Sequence, residues 1–193
     1  MKRDPVKKLV LNSLMIALVF LATYFTRIPT PLPGGYFNLG DSVIMLAAVF
    51  LGPIGGIAAG AAGSCLADLA AGAFLFAPVT FVVKGVEGLA VGLLAAGYRK
   101  AQGKTRTVDT GKVISLRNSA QSRLALLLAV IVGAAVMVAG YFLAEAFLLG
   151  AFDKAFGLTA AITELLPNGI QCLLSAALGY ILILLLAKAD IGL

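Results

Sequence analysis

Four stretches of the chain, 6–26, 77–97, 124–148 and 168–187, are apolar over enough residues to cross a bilayer; a transmembrane helix takes about 20 of them. A fifth apolar stretch, 41–72, holds 32 residues and is broken by Gly52-Pro53, with Gly55-Gly56 just beyond. It predicts either one long helix or two shorter ones, 41–51 and 54–72, joined by a tight turn. Pro29, Pro31 and Pro33, followed by Gly34-Gly35, predict a stiff extended loop over 27–40 rather than a helix. Pro78 suits the first turn of the helix 77–97. Pro167 suits the start of the last one, which makes 159–166 a short separate helix or turn.

Composition points to lipid as the solvent. The chain is 61% hydrophobic and only 12% charged, and its mean hydropathy is +1.02. Globular domains run at roughly 45–50% apolar and about 25% charged. A chain this poor in polar groups cannot cover itself in water, so the reading is a single transmembrane domain over 1–193. The basic start followed by an apolar run resembles a secretory signal. However, Val6 to Phe25 is too long for a signal core and no small-x-small cleavage site follows it, so a retained first helix is expected. Cys65 and Cys172 lie in apolar runs and read as buried thiols, with no disulfide inferred. With no histidine and no cysteine cluster, no metal site and no metal or other cofactor is expected.

Charge placement orients the spans, because Lys and Arg collect in cytoplasmic loops. If 41–72 is two helices there are six spans, and both termini lie inside. The cytoplasmic side then collects Lys2, Arg3, Lys7, Lys8, the seven Lys and Arg residues of 99–123, and Lys188. Only Arg27 and Lys154 fall outside. If 41–72 is one helix, the basic loop 98–123 and the basic N-terminus fall on opposite sides. The six-helix all-α membrane bundle with both termini cytoplasmic is therefore expected, a multi-pass protein of a prokaryotic cell membrane. Its cost is a short second span, since 41–51 covers only about 16 Å at 1.5 Å per residue. The loop 98–123 has no aromatic interleaving, so its charge suits anionic lipid headgroups and not nucleic acid.

Ionisable groups at membrane depth are costly and mark candidate sites. In this topology Asn38, Asp41, Asp68, Lys84, Glu87, Glu145, Asn168 and Gln171 all fall in the outer half of the bundle. Counting from Pro78, Lys84 lies about 9 Å down and Glu87 about 14 Å. An ion or proton path needs polar groups at both depths, whereas a pocket open to the outside needs them only on top. Each residue also has a structural reading. Lys84 and Glu87 can neutralise each other across one helical turn, or Asp68 can pair with Lys84. Asp41 can cap a helix, Asn168 can be a first-turn residue, and Glu145 can face outward. Small residues form a second pattern, with Gly52, Gly56 and Gly60 on one helix, Gly88 and Gly92 on another, and Ser13 and Ala17 on the first. Such ridges let helices approach closely in lipid; the one on the first helix suits either internal packing or a partner.

The blocks NLGD, GPIGG, ADL, APVTF and KGVEG, in this order, resemble the substrate-binding S components of energy-coupling factor (ECF) vitamin transporters. The likeness is to the riboflavin-type branch, which also contains hydroxymethylpyrimidine and pyridoxine carriers, and it is carried by residues 6 to about 97. The resemblance implies six helices with both termini inside, and a vitamin pocket near the outer surface roofed by the loop between the first two spans. It makes Tyr36, Phe37, Asn38 and Asp41 gate or ligand residues. It also implies that the small-residue ridge on the first helix, here Ser13-x-x-x-Ala17, docks a membrane coupling subunit that carries two ATPase subunits. The chain itself has no GxxxxGK[ST] phosphate loop and no evident catalytic residues, so it is not expected to be an enzyme. A stand-alone secondary transporter is the alternative; it calls for internal repeats and broken helices at mid-depth, and no convincing repeat is visible.

Overall fold

A computed structural model describes residues 5–30, 32, 35–99 and 120–188. Residues 1–4, Pro31, Pro33, Gly34, most of the basic loop 98–123 and the last five residues lie outside the described residues. We number the helices α1 Pro5–Phe25, α2 Gly40–Leu51, α3 Pro53–Ala71, α4 Ala77–Leu94, α5 Ala120–Leu143 and α6 Leu158–Lys188. Between α1 and α2, strands β1 Ile28–Pro29 and β2 Tyr36–Phe37 pair antiparallel, with Ile28 opposite Phe37 and Pro29 opposite Tyr36. The segment expected as a plain extended loop thus folds back on itself as a small hairpin.

The apolar stretch 41–72 turns at Gly52. Its φ of 87° is a left-handed conformation that glycine adopts without a Cβ penalty, and Pro53 then opens α3 at a position where its missing N–H costs nothing. Among the described residues, five helices are long and apolar enough to cross a membrane; α2, at twelve residues, is shorter. α3 is not uniform, because Ala59–Gly63 forms one π-helical turn made wholly of Ala and Gly. A second π turn, Ala144–Leu148, ends α5 and passes into a short 3-10 turn at Leu149–Ala151.

Glycines set the central crossing. A Cβ on Gly88 would strike the backbone of Gly56, and one on Gly60 would strike the carbonyl of Lys84. α3 and α4 therefore lie backbone against backbone. α4 also packs on α2 and α5, and α6 packs on α5 and α2. α1 packs on α2 and α3 and buries Leu11, Met15, Val19 and Thr23, a stripe spaced by four. The rest of its surface is largely exposed, Ser13 and Ala17 included.

α6 departs from expectation. Pro167 does not start it but lies inside a continuous helix of 31 residues, about 46 Å long at 1.5 Å per residue. The buried positions explain this. Ala161, Glu164, Gln171, Ser175, Gly179 and Ile183 lie on one face that runs through the proline without a break. Packing along that face holds the helix together where one backbone bond is lost, as membrane helices tolerate.

A polar cavity beneath the hairpin

The functional side chains come from all six helices and the hairpin. Asp41 is the second residue of α2 and is 1% exposed. It is not a helix cap: Leu39 holds that position, without a side-chain bond. Asp41 Oδ1 pairs instead with the Lys84 ammonium of α4. Gln171 of α6 donates its Nε2 hydrogen to Asp41 Oδ2 at 2.7 Å. The Oε1 of the same Gln171 accepts the backbone N–H of Asn38 at 2.8 Å, and Asn38 Oδ1 accepts the N–H of Gly40 at 2.8 Å. Glu87 is fully buried, 3.5 Å from Lys84 Nζ. Lys84 therefore serves two carboxylates, and the expected Lys84–Glu87 pair is only part of a three-charge cluster.

The hairpin closes over this cluster by side-chain bonds. The Tyr36 hydroxyl donates to Asp68 of α3. That contact replaces the expected Asp68–Lys84 pair, because α4 turns Lys84 toward α2. Burial, with the Asp68 carboxylate beside it, holds the Tyr36 phenol well above its ordinary range, so it remains a donor. The Arg27 guanidinium lies 4.3 Å from the centre of the Tyr24 ring and 5.6 Å from that of Tyr36. Leu32 N–H donates to Glu164 Oε1 of α6 at 3.3 Å.

Under the hairpin is a cavity of about 40 Å³. Tyr36, Asn38, Asp68, Lys84, Asn168 and Gln171 all line it. Asp41 and Glu87 do not; they lie behind Lys84 and hold it in place. Asn168 is half-buried and sits one turn below Glu164, so it is a mid-helix residue and not the start of a helix. Glu145 is 3% exposed on the π turn of α5 and lines the same cavity, so it does not face outward.

Several lining residues escaped the sequence reading. Glu164 did so because the last helix was expected to begin at Pro167; its signal was the stripe Glu164, Asn168, Gln171, Ser175, spaced four, three and four. Thr80 and Tyr141 form a 2.8 Å hydroxyl pair across α4 and α5, and the Tyr141 ring lies 5.4 Å from Lys84 Nζ. Thr23 and Ser64 also line the cavity. Tyr141, Thr23 and Ser64 each sit singly in an apolar run, where nothing in the pattern separates a lining residue from a packed one. Among the described residues no group of His, Cys, Asp and Glu has the makings of a metal site.

Residues 4–188 match the profile of the family described as ECF-type riboflavin transporter, S component. A relative in Pyrococcus woesei, described as an uncharacterized protein in the gap 3' region, is 34% identical over 168 residues, which cover 85% of this chain and 93% of that one. A solved structure, that of the S component of a bacterial ECF transporter, superposes with a TM-score of 0.64 over 96% of this chain and 98% of the other. At 20% identity it shows the fold alone. The fold, the buried polar cluster and the match across nearly the whole length converge: this chain belongs to the ECF-type riboflavin transporter S-component family, the membrane-embedded, vitamin-type substrate-binding subunits of ECF transporters.

Proposed function

We propose that the chain captures a water-soluble ring vitamin or precursor, of the riboflavin, hydroxymethylpyrimidine or pyridoxine class, from the outer face of a prokaryotic plasma membrane. It spans that membrane six times with both termini inside. It delivers its cargo with a membrane coupling subunit and two ATPase subunits. The observation that carries this reading is the buried cluster Asp41–Lys84–Glu87 with Gln171, set beside a cavity that the hairpin covers. Burying charges in a low-dielectric interior costs several kcal/mol per ion before pairing offsets it, and packing alone does not require it.

The mechanism follows from the bonds that hold the hairpin. The cavity of about 40 Å³ accommodates a few waters at most, by the roughly 10–15 Å³ that one requires. A vitamin ring therefore needs the hairpin to lift. Three bonds resist that movement: Tyr36 to Asp68, Leu32 to Glu164 and Asn38 to Gln171. A ligand whose polar edge reaches Asp68, Glu164 and Gln171 replaces bonds that opening breaks. A ligand without such groups leaves buried polar atoms unmatched, at about 1–3 kcal/mol each. Selectivity then comes from the hydrogen-bonding edge and closure from the hairpin, with Tyr36 positioned to cover the ring; Phe37, expected as a gate residue, does not line the cavity. The exposed Ser13 and Ala17, opposite the buried stripe of α1, support docking of the coupling subunit there.

The test is mass spectrometry of small molecules released from the purified protein, followed by titration with the compound found. A ring vitamin bound one to one supports the proposal. Uptake by vesicles that contain this chain alone, without ATP or partners, contradicts the coupled mechanism.

A further inference from the structure

The cavity wall is unbalanced in charge. Among the described residues three carboxylates line it, Asp68, Glu145 and Glu164, against one cation, Lys84. Lys84 is already engaged by Asp41 and Glu87 behind it. Asp68 takes the Tyr36 hydroxyl, and Arg27 stands outside over the Tyr24 and Tyr36 rings. Glu164 receives one backbone N–H, from Leu32. Glu145 is 3% exposed and its Oε2 has no partner among the described residues. Three further groups on the same wall, Thr23 Oγ1 on α1 and Ser64 Oγ and Asp68 Oδ2 on α3, are also buried and without a hydrogen-bond partner among the described residues. Buried polar groups that the protein leaves unmatched, around a cavity the hairpin covers, suit a ligand that brings hydrogen-bonding partners.

Building on the vitamin-binding reading, we infer that Glu145 and Glu164 together receive a protonated nitrogen of the ligand. The substrate is then an amine-bearing or protonated nitrogen heterocycle, as in an aminopyrimidine or a pyridoxamine-type ring, and not a neutral flavin or a phosphate ester. Two buried carboxylates on one cavity wall both carry charge readily only when a cation lies between them; otherwise one keeps its proton. A neutral ligand brings no such cation, and a phosphate adds negative charge to the same wall. The arrangement therefore selects by charge as well as by shape.

The probes are 4-amino-5-hydroxymethyl-2-methylpyrimidine, pyridoxamine, pyridoxamine phosphate and riboflavin, titrated calorimetrically into the detergent-solubilised full chain. At least one of the two unphosphorylated amine-bearing rings is expected to bind about tenfold or more tighter than riboflavin, as one charge-assisted bond allows. Pyridoxamine phosphate should bind more weakly than pyridoxamine. Glu145→Gln and Glu164→Gln keep shape and an acceptor for Leu32 but remove charge. Each should weaken the preferred amine about tenfold and change any riboflavin binding by a smaller factor. Both variants should fold, since each keeps the shape of the side chain and a hydrogen-bonding oxygen; the comparison among ligands on the unmodified chain does not depend on them. Riboflavin binding tighter than both amines, or amine affinity unmoved by either substitution, overturns this inference and leaves the vitamin reading standing. No binding of any ring compound overturns both.

Discussion

Replacing Lys84 by Met keeps the length of the side chain and removes the buried cation that faces Asp41 and Glu87. The two carboxylates are 1% and 0% exposed, so water cannot take over the role of the ammonium. Breaking a buried pair from one side typically costs about 3–5 kcal/mol. For a chain of this size, at roughly 2–4 °C per kcal/mol, the melting temperature should fall by about 6–20 °C. The charge count makes the effect asymmetric. Asp41→Asn leaves Lys84 with Glu87, one charge of each sign, but its single amide oxygen can accept from Lys84 or from Gln171 and not from both, so its loss should be about 1–3 kcal/mol, less than that of Lys84→Met. The double variant should be more stable than Lys84→Met alone, because it removes one of the two carboxylates left unbalanced, with a coupling of about 1–3 kcal/mol. Thermal scans in detergent of the three variants and the parent supply the cycle. Equal losses for Lys84→Met and Asp41→Asn, or strict additivity in the double, would refute the assignment of Lys84 as the shared counter-ion.

Three further outcomes follow from other parts of the bundle. Gly88→Val forces α3 and α4 apart where their backbones touch, and should lower stability by about 1–3 kcal/mol or more, read by the same scans. Ser13→Trp with Ala17→Trp changes only an exposed face of α1, so ligand affinity should stay within about twofold while uptake with the coupling module is lost; retained uptake would remove α1 as the docking face. Tyr36→Phe deletes the hydroxyl that ties the hairpin to Asp68, and ligand dissociation, followed by stopped flow, should accelerate about tenfold.

Much of the fold was legible because lipid imposes a simple rule on sequence. Apolar runs of sufficient length gave the positions of α1, α4, α5 and most of α6, and Gly52-Pro53 gave the turn between α2 and α3. The start of α6 was misread because Pro167 is a strong local stop signal, whereas the buried stripe that overrides it includes a glutamate, which reads as polar loop. The hairpin was hidden because prolines suggest extension and say nothing of which strand they face. For the site, depth alone gathered Asn38, Asp68, Lys84, Glu145, Asn168 and Gln171 at one level, and the structure brings these six to one cavity. The pairings were not legible. Sequence spacing favours Lys84 with Glu87 along one helix, but the closer partner, Asp41, comes from 43 residues earlier through the packing of α2 on α4. The two π turns, which carry Glu145 on one side and let α3 pass close to Lys84 on the other, share no local sequence signature: Ala59–Gly63 is all Ala and Gly, whereas Ala144–Leu148 includes Glu145, Phe147 and Leu148.

The claim on which the account rests is that the polar cavity opens to the outside and holds the ligand. Asn168→Cys, made in a chain whose Cys65 and Cys172 are replaced by Ser, places one thiol on that wall. In intact cells, a membrane-impermeant thiol reagent added outside should label it, and the compound recovered from the purified protein should block the labelling. Labelling only from the cytoplasmic side of inverted vesicles, or labelling indifferent to that compound, would contradict the account.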